Sequence, residues 1–163
     1  MADNVDAGTR SRIMARVRSK DTLPELAFRK TLFSRGLRYR VHGADLPGKP
    51  DLVFPRFRAV VFINGCLWHW HGCPRSRLPA TNAEYWTRKI NRNQERDRRN
   101  RAALLQGEWR VLVVWECALK RTVLTKAADL AIDWLHGNSA SGMIEPMHSG
   151  NQSRVAQLHL LAD

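Results

Sequence analysis

The chain has 163 residues, of which 27 are Lys or Arg and 15 are Asp or Glu, so its formal net charge is +12. Apolar side chains make up 44% of the chain, which excludes disorder over most of its length and provides material for a core. Its longest apolar runs, 59–63 and 111–115, fall far below the roughly 20 residues of a transmembrane helix. The positive charge favours a polyanionic partner such as DNA or RNA, although a generally basic surface or an acidic membrane would also fit it.

The first twenty residues predict a basic arm. No apolar stretch typical of a secretory signal precedes residue 12, so we expect a cytoplasmic protein whose three cysteines stay reduced. Residues 9–20 carry five basic side chains, with Ile13, Met14 and Val17 between them at helical spacing. This pattern indicates a short amphipathic segment that could contact nucleic acid.

A helix is predicted over residues 23–35. Thr22 and Glu25 have the spacing of a capping box, and Pro24 stands in the first turn. Gly36 is expected to end the helix because glycine is common just beyond helix C-termini.

Three strands are predicted next, at 37–41, 51–54 and 59–63. The first alternates apolar and polar residues, and the third is continuously apolar, as in a central strand covered on both faces. Their short connections predict a meander of neighbouring strands.

The turn between the second and third strands predicts their register. A turn centred between residues 56 and 57 pairs positions whose numbers sum to about 113, so Asp51 should face Phe62 and share a face of the sheet with it. Asn64 then points to that face, whereas Ile63 turns its side chain away and offers only its carbonyl. A slip of one residue would reverse this assignment.

The rest of the chain predicts one more strand and two helices. Residues 65–74 read GCLWHWHGCP, which suits neither a helix nor a strand. This segment indicates a loop rich in Cys, His and Trp side chains. A second capping box, Thr81 and Glu84, is predicted to open a long helix ended by Gly107, with eight basic and three acidic residues between 86 and 110.

A last strand over 109–115 and a helix over 123–135 complete the predicted fold. The stretch 138–154 is rich in Ser, Gly, Asn and Met and predicts a loose tail. The order α, β, β, β, α, β, α predicts an α/β fold with a mixed sheet flanked by helices, in which the last strand pairs with the centre.

All three cysteines belong to one candidate metal centre. Cys66, His71 and Cys73 are spaced C-x4-H-x-C, and Cys117 directly follows the last strand region. Three thiolates and one imidazole complete the closed tetrahedral geometry of structural zinc. The alternative is three buried thiols that act as small apolar side chains.

A second candidate site centres on Asp51. One carboxylate, one backbone carbonyl and several waters would suit Mg²⁺, with Asp51 as the best ligand and His69 in the tethered loop nearby. Each residue also has a structural interpretation: Asp51 could simply start a strand, Glu25 could serve its capping box, and a lone His is often structural. The residues alone therefore leave a metal-dependent phosphodiesterase and a plain DNA-binding module open.

Five segments together resemble the very short patch repair (Vsr) DNA mismatch endonucleases. They are TRSRIMARVRSKDT, LPGKPDLVF, VFINGCLWHWHGC, EYWTRKINRNQERDRR and WRVLVVWECAL, within about residues 9–119. The resemblance implies a PD-(D/E)xK restriction-endonuclease-like fold with a structural zinc. It also implies Mg²⁺-dependent nicking of double-stranded DNA at T:G mispairs left by deamination of 5-methylcytosine.

The resemblance also implies roles for individual residues. Asp51 and the carbonyl of Ile63 would hold Mg²⁺, Glu25 would orient that site, and His69 would transfer a proton. Cys66, His71, Cys73 and Cys117 match the zinc ligands. The residues implied to meet DNA are Met14, inserted at the mispair; Leu67, Trp68 and Trp86, wedges that open the base stack; and Lys89, Asn93 and Arg96, contacts to DNA.

Three positions depart from well-known family members. Asn64 replaces a His, Ile63 replaces a Thr and Leu67 replaces a Phe. The Ile63 change should be mild because the ligand is its backbone, and Leu67 remains an apolar wedge with less stacking surface. Asn64 puts one catalytic role in doubt.

The resemblance sets the expected organisation and partners. We expect a DNA-contacting arm over 1–20, an endonuclease domain over 21–137 and a C-terminal tail over 138–163. We expect a bacterial, cytoplasmic monomer that is nucleoid-associated when bound to mismatched DNA, without a membrane partner, and a mismatch-repair ATPase is a further candidate partner. The rival interpretations are a zinc-stapled DNA-binding module with little catalysis and a restriction-type nickase that acts on matched DNA.

Overall fold

The computed structural model describes residues 8–9, 21–79, 82–147 and 155–161. Residues 8–9 are helical, and the described ranges further contain the α-helices α1 (Leu23–Ser34), α2 (Ala83–Gln106) and α3 (Leu124–His136). The strands are β1 (Arg40–Val41), β2 (Leu52–Phe54), β3 (Ala59–Asn64), β4 (Arg110–Trp115), β5 (Ser141–Pro146) and β6 (Ala156–Leu160). Met14 with most of the predicted arm, Thr81 and residues 148–154 lie outside the described ranges.

The strands form one mixed sheet in the order β1 to β6. The strands β1, β2 and β3 form the predicted antiparallel meander, whereas β4 lies parallel to β3 and β5 lies parallel to β4. Parallel neighbours require crossover connections, and these contain α2 and α3. The predicted α/β architecture, a mixed sheet flanked by helices, is confirmed.

The register of the β2–β3 hairpin is the predicted one. Leu52 pairs with Val61 and Val53 pairs with Val60, so paired residue numbers sum to 113. A short 3₁₀ turn, Pro55–Phe57, makes the reversal, and Arg58 closes it at a φ of 45°. Asp51 therefore lies beside the carboxyl end of β3.

The central strand β3 is covered on both faces, as its apolar run predicts. Val61 belongs to a core that includes Phe28 of α1 and Trp134 of α3. Val60 points to the opposite face and packs with Leu104 of α2. Alternation along the strand thus assigns α1 and α3 to one face and α2 to the other.

The long helix α2 buries side chains near its two ends. Its buried residues are Trp86, Ile90 and Leu104, so the basic turns between Ile90 and Leu104 remain available to border a cleft. The helix ends at Gly107, as predicted. Among the described residues, no helix is both long and apolar enough to cross a membrane.

The interpretation of residues 138–154 as a loose tail is wrong where the structure describes them. Ser141–Pro146 forms β5 beside β4, and Ala156–Leu160 pairs with it as β6. Ile144 is fully buried, and a Cβ on Gly142 would lie 2.8 Å from Nε1 of Trp134. Close packing against α3 therefore selects a small residue in a segment whose composition suggested a loop.

Two local predictions also need correction. The strand expected over 37–41 contains only Arg40–Val41, since Leu37 packs into the core below the helix. Thr22 is the N-cap of α1 but makes no side-chain bond to the helix backbone. The capping box is therefore incomplete, because the Glu25 carboxylate accepts hydrogen bonds from the Asp21 N–H and the Thr22 hydroxyl, each at 2.9 Å.

Candidate active site and metal centre

Chemically active side chains gather at one edge of the sheet. Asp51 precedes β2, Asn64 ends β3 and Cys117 follows β4. Because β2 runs antiparallel to β3 and β4 runs parallel to it, the start of β2 and the ends of β3 and β4 meet at this edge. The topology thus brings together residues that are distant in the chain.

A cleft of about 1070 Å³ lies between this edge and the central turns of α2. Its lining includes the four residues predicted to be catalytic: Glu25, Asp51, Asn64 and His69. Basic side chains also line it: Lys49, Arg96, Arg98 and Arg101. The combination of carboxylates inside and cations around the cleft suits a phosphate-bearing polymer at a metal-dependent site.

Asp51 is held by the backbone of the neighbouring strand. The N–H of Ile63 donates to Oδ2 of Asp51 at 2.6 Å. Burial raises the pKa of the Asp51 carboxyl and outweighs that hydrogen bond, and the nearby Glu25 charge raises it further. A bound cation would favour the ionised form of this carboxyl.

Glu25 is buried and paired with a buried arginine that sequence reasoning did not single out. Nη2 of Arg29 lies 3.3 Å from Oε2 of Glu25, and Nη1 lies 2.5 Å from Oδ1 of Asp21. The spacing of Arg29 four residues after Glu25 on one helix was the available signal. Arg29 thus compensates part of the negative charge behind Asp51.

His69 contacts a carboxylate that the sequence analysis missed. Its Nδ1 contacts Oδ2 of Asp97 on α2. Asp97 is one of three acidic residues in the basic stretch 86–110, which was the only sequence signal for it. A carboxylate at Nδ1 orients an imidazole and leaves Nε2 as its basic nitrogen.

The long helix also holds the loop that carries His69. Asn93 lies one turn before Asp97, and its Nδ2 donates to the carbonyl of Trp68 at 2.8 Å. Two side chains on one face of α2 therefore fix two successive loop residues. This position gives Asn93 a loop-holding contact in addition to the expected role beside DNA.

The predicted metal ligands form one cluster. The ligand atoms of Cys66, His71, Cys73 and Cys117 all lie within 4.8 Å of one another, and the residues are buried or half-buried. Ser76 supports the loop from below by donating to the carbonyl of Cys66 at 2.9 Å. Three sulfur donors and one imidazole in this arrangement could hold a metal ion.

Hydrogen bonding within the cluster separates the protonation states of its members. The hydrogen bond from Cys117 lowers the pKa of Cys66 to about 4 despite burial, while the Cys117 pKa is raised. Burial opposes the charge on His71, yet hydrogen bonds to Cys66 and Glu145 raise its pKa to about 9. Metal binding would therefore displace protons from this cluster.

An aromatic platform lies beside the loop. The rings of Trp68 and Trp86 are 5.6 Å apart, and Nζ of Lys89 lies 5.0 Å from the centre of the Trp68 ring. Trp86 is only 8% exposed, so in this conformation it supports Trp68 rather than projecting outwards. Leu67 and Trp68 are half-buried in the adjoining loop.

Comparison with known proteins relates the chain to DNA-nicking enzymes. A family model described as DNA mismatch endonuclease Vsr matches residues 2–75, a range that contains Glu25, Asp51 and His69. The DNA mismatch endonuclease Vsr of Escherichia coli strain K12 is 44% identical over 148 residues, which cover 89% of this chain and 95% of that relative.

Other relatives are described as nicking enzymes. The Type II nicking enzyme V.XorIIP of Xanthomonas oryzae pathovar oryzae is 50% identical over 119 residues, 73% of this chain and 88% of its own length. The Type II nicking enzyme V.NmeAIP of Neisseria meningitidis is 40% identical over 126 residues, 77% of this chain and 90% of its own.

Proposed function

This chain belongs to the Vsr DNA mismatch endonuclease family, and on that premise we propose that it nicks one strand of double-stranded DNA at a T:G mispair. The observation that carries the proposal is the convergence of Glu25, Asp51 and His69 in one cleft bordered by basic side chains. A module that only bound DNA would have no use for a buried and a half-buried carboxylate beside an oriented imidazole.

The proposed metal at Asp51 is Mg²⁺. The carboxylate of Asp51 supplies hard oxygen donors, Glu25 lines the same cleft and would orient that site, and the N–H of Ile63 already points at Asp51. Since the N–H and C=O of one strand residue point to the same side, the Ile63 carbonyl faces the same region and can serve as a ligand. When bound there, Mg²⁺ would polarise the scissile phosphate and neutralise developing charge.

His69 is the proposed general base. Asp97 accepts the hydrogen bond from Nδ1–H, so Nε2 is the nitrogen that takes a proton from the attacking water. Asn64 lines the same cleft, but an amide cannot transfer a proton near neutral pH. Its proposed role is to orient the phosphate or the water by hydrogen bonding.

The proposed mispair recognition uses the aromatic platform and the loop above it. Leu67 and Trp68 would wedge into the base stack with Trp86 as their support, and Lys89, Asn93 and Arg96 follow one another at helical spacing along α2. A mispaired step is weakly stacked, which lowers the cost of a few kcal/mol for opening it. Met14 is proposed to enter at the mispair.

The metal proposed for the cysteine cluster is zinc in a structural role. Four protein ligands close the coordination sphere, so the ion would have no position for substrate. Bound zinc would tie the loop after β3 to the end of β4 and hold Trp68 and His69 in place.

A nicking assay on two duplexes that differ at one base pair tests this function. One duplex carries a T:G mispair, its control carries T:A at the same position, and both are incubated with and without Mg²⁺ over several flanking sequences. We expect a nick in one strand of the T:G duplex, none in the T:A duplex, and none without Mg²⁺. We expect Asp51→Ala to bind the mispair without nicking it.

The same assay distinguishes the other candidate functions. The relatives described as Type II nicking enzymes favour a nickase as the second candidate. Equal cleavage of T:A and T:G duplexes would support a nickase for matched DNA, whereas binding without any cleavage would support a DNA-binding module.

A further inference from the structure

The two strands missed by the sequence analysis reach the cysteine cluster. Ile144 of β5 pairs with Val114 of β4, so Glu145 lies next to Trp115 at the edge of the sheet that carries the cluster. The ring of Trp115 stacks on His71, with 4.3 Å between ring centres and an interplanar angle of 22°. Glu145 and the face of Trp115 thus meet at the same imidazole.

Glu145 contacts the ring nitrogen of His71 that faces away from the thiols. Its Oε2 lies 2.5 Å from Nε2, while Nδ1 lies 3.2 Å from Sγ of Cys117. The His71 side chain is 3% exposed and that of Glu145 is 19% exposed, so water competes little for this contact. A nitrogen that donates a proton to a carboxylate cannot at the same time offer a lone pair to a metal.

The last strand places a second imidazole beside the carboxylate. His159 of β6 pairs with Met143, which places it diagonally across from Glu145 on one face of the hairpin. Its Nε2 lies 3.0 Å from Oε1 of Glu145. The β5–β6 hairpin therefore presents a carboxylate whose two oxygens each face a different imidazole.

We propose that Glu145 is a positioning residue of the metal centre. Glu145 holds His71 as the tautomer that is protonated on Nε2 and thereby directs Nδ1 of His71 to the ion. This inference rests on the zinc site proposed above and extends it to a residue outside the four ligands. Carboxylates that accept a hydrogen bond from a metal-bound imidazole fix its orientation and increase its basicity as a ligand. The β5–β6 hairpin therefore belongs to the metal centre as well as to the sheet.

Zinc competition with a chromophoric chelator tests the role of Glu145 in the full-length chain. We expect Glu145→Ala to weaken zinc binding about 10- to 100-fold, the usual effect of losing such a partner. Glu145→Gln retains an oxygen that accepts the hydrogen bond and should lose less. Gln157→Ala is the matched control, because Gln157 pairs directly with Glu145 on β6, and it should bind zinc as wild type does.

Nitrogen-15 NMR of zinc-loaded protein gives a readout that a purely structural role would not move. We expect the His71 ring to be protonated on Nε2 and metal-bound through Nδ1 in the wild type, and to lose that single pattern in Glu145→Ala. Coordination through Nε2 would overturn the proposal, even if the alanine variant were too unstable for the competition assay.

The outcomes also separate this inference from the metal site on which it rests. A wild-type chain that takes up no zinc would overturn the site and the role of Glu145 together. Equal zinc affinities for wild type, Glu145→Ala and Glu145→Gln would overturn the role of Glu145 alone and leave the four-ligand site standing.

Discussion

Burial of Asp51 beside Glu25 sets the proposed chemistry against the stability of the fold. A carboxylate that must hold a cation is placed where its ionised form is poorly solvated, and a single backbone N–H offsets part of that penalty. Active-site residues of this kind stabilise the protein less than a neutral replacement would. Asp51 therefore allows both a functional and a thermodynamic test.

We predict that Asp51→Asn raises the Tm at pH 7 in buffer without Mg²⁺. The pKa of Asp51 is raised in the folded chain, so its favourable contribution is present below the unfolded pKa of about 3.9 and is lost as pH rises through the folded pKa. Asn is neutral throughout and still accepts from Ile63. The Tm gain should therefore shrink as pH falls through the folded pKa of Asp51 and be smallest below about pH 4.

Thermal unfolding at neutral and acidic pH measures this effect. Asp45→Asn makes the same charge change on an exposed residue and serves as the control. An Asp51→Asn Tm equal to or below that of wild type at pH 7 would show that burial of the charge does not destabilise the fold.

His69 and Asn64 provide the second test at the residue scale. Loss of a positioned proton-transfer group costs about 10²- to 10⁴-fold in rate, so His69→Ala should slow single-turnover nicking by that amount and Asn64→Ala should slow it less. Asp97→Asn should fall between them, because an amide keeps the packing but cannot stabilise the protonated imidazole.

The pH dependence of nicking checks that ranking. The rate should rise with pH in a single limb as the base loses its proton, and the limb should disappear in His69→Ala. Near-wild-type nicking by His69→Ala would place the general base on another residue and remove the centre of the proposed mechanism.

At the scale of elements, the carboxyl ends of β3 and β4 are neighbours whose following loops share the metal cluster. Asn64 pairs with Trp115, so the loop that begins at Gly65 and the turn that contains Cys117 start side by side. The helix α2 supports the same loop through Asn93 and Asp97. The cysteine cluster and α2 thus both hold the same segment.

We predict that Cys117→Ser lowers both the zinc content and the Tm. Native protein should hold about one zinc per chain, and removal of the ligand contributed by the end of β4 opens the tetrahedron and releases the loop. Metal analysis and thermal unfolding measure the two effects. The control is Glu116→Gln, which changes the adjacent residue and removes only an exposed ion pair to Arg75.

One outcome would contradict the prediction for Cys117→Ser. Unchanged zinc content and Tm in Cys117→Ser would mean that the three cysteines act as buried apolar side chains, and would leave α2 as the main support of the loop.

At the scale of the whole molecule, the fold places part of the excess positive charge around the cleft. The face of α2 that borders the cleft carries Arg98 and Arg101, and Arg96 lies at the same opening. Phosphate contacts release counterions, so affinity should fall steeply with salt. For the proposed DNA substrate, the long-range field would favour approach on the side of the molecule where the carboxylates lie.

We predict that Arg96→Ala lowers the salt dependence of DNA binding. Loss of one phosphate contact should reduce the slope of log Kd against log salt by about one unit, roughly equally for T:G and T:A duplexes. Lys126→Ala removes the same charge from α3 on the other face of the sheet and should leave the slope unchanged. Equal changes in both variants would indicate a diffuse effect of net charge instead of a contact at the cleft.

The sequence by itself determined the features that depend on short-range spacing. The turn at residues 56–57 predicted the hairpin register, because a tight reversal allows few pairings, and the apolar run 59–63 was typical of a strand covered on both faces. The chain contains three cysteines, and their positions with His71 predicted the metal cluster. These features required no knowledge of where distant segments lie.

Only the tertiary structure decided which side chains complete the sites. His69 meets Asp97 across 28 residues and His71 meets Glu145 across 74, and no periodicity encodes such contacts. The composition of β5 suggests a loop because its buried positions include the small residues Ser141 and Gly142, yet pairing with β4 and packing against α3 make this segment a strand. Trp86 was predicted as a wedge, yet its exposure depends on Trp68 and Tyr85 folding over it. Such contacts arise from packing between elements, which a local pattern of residues does not contain.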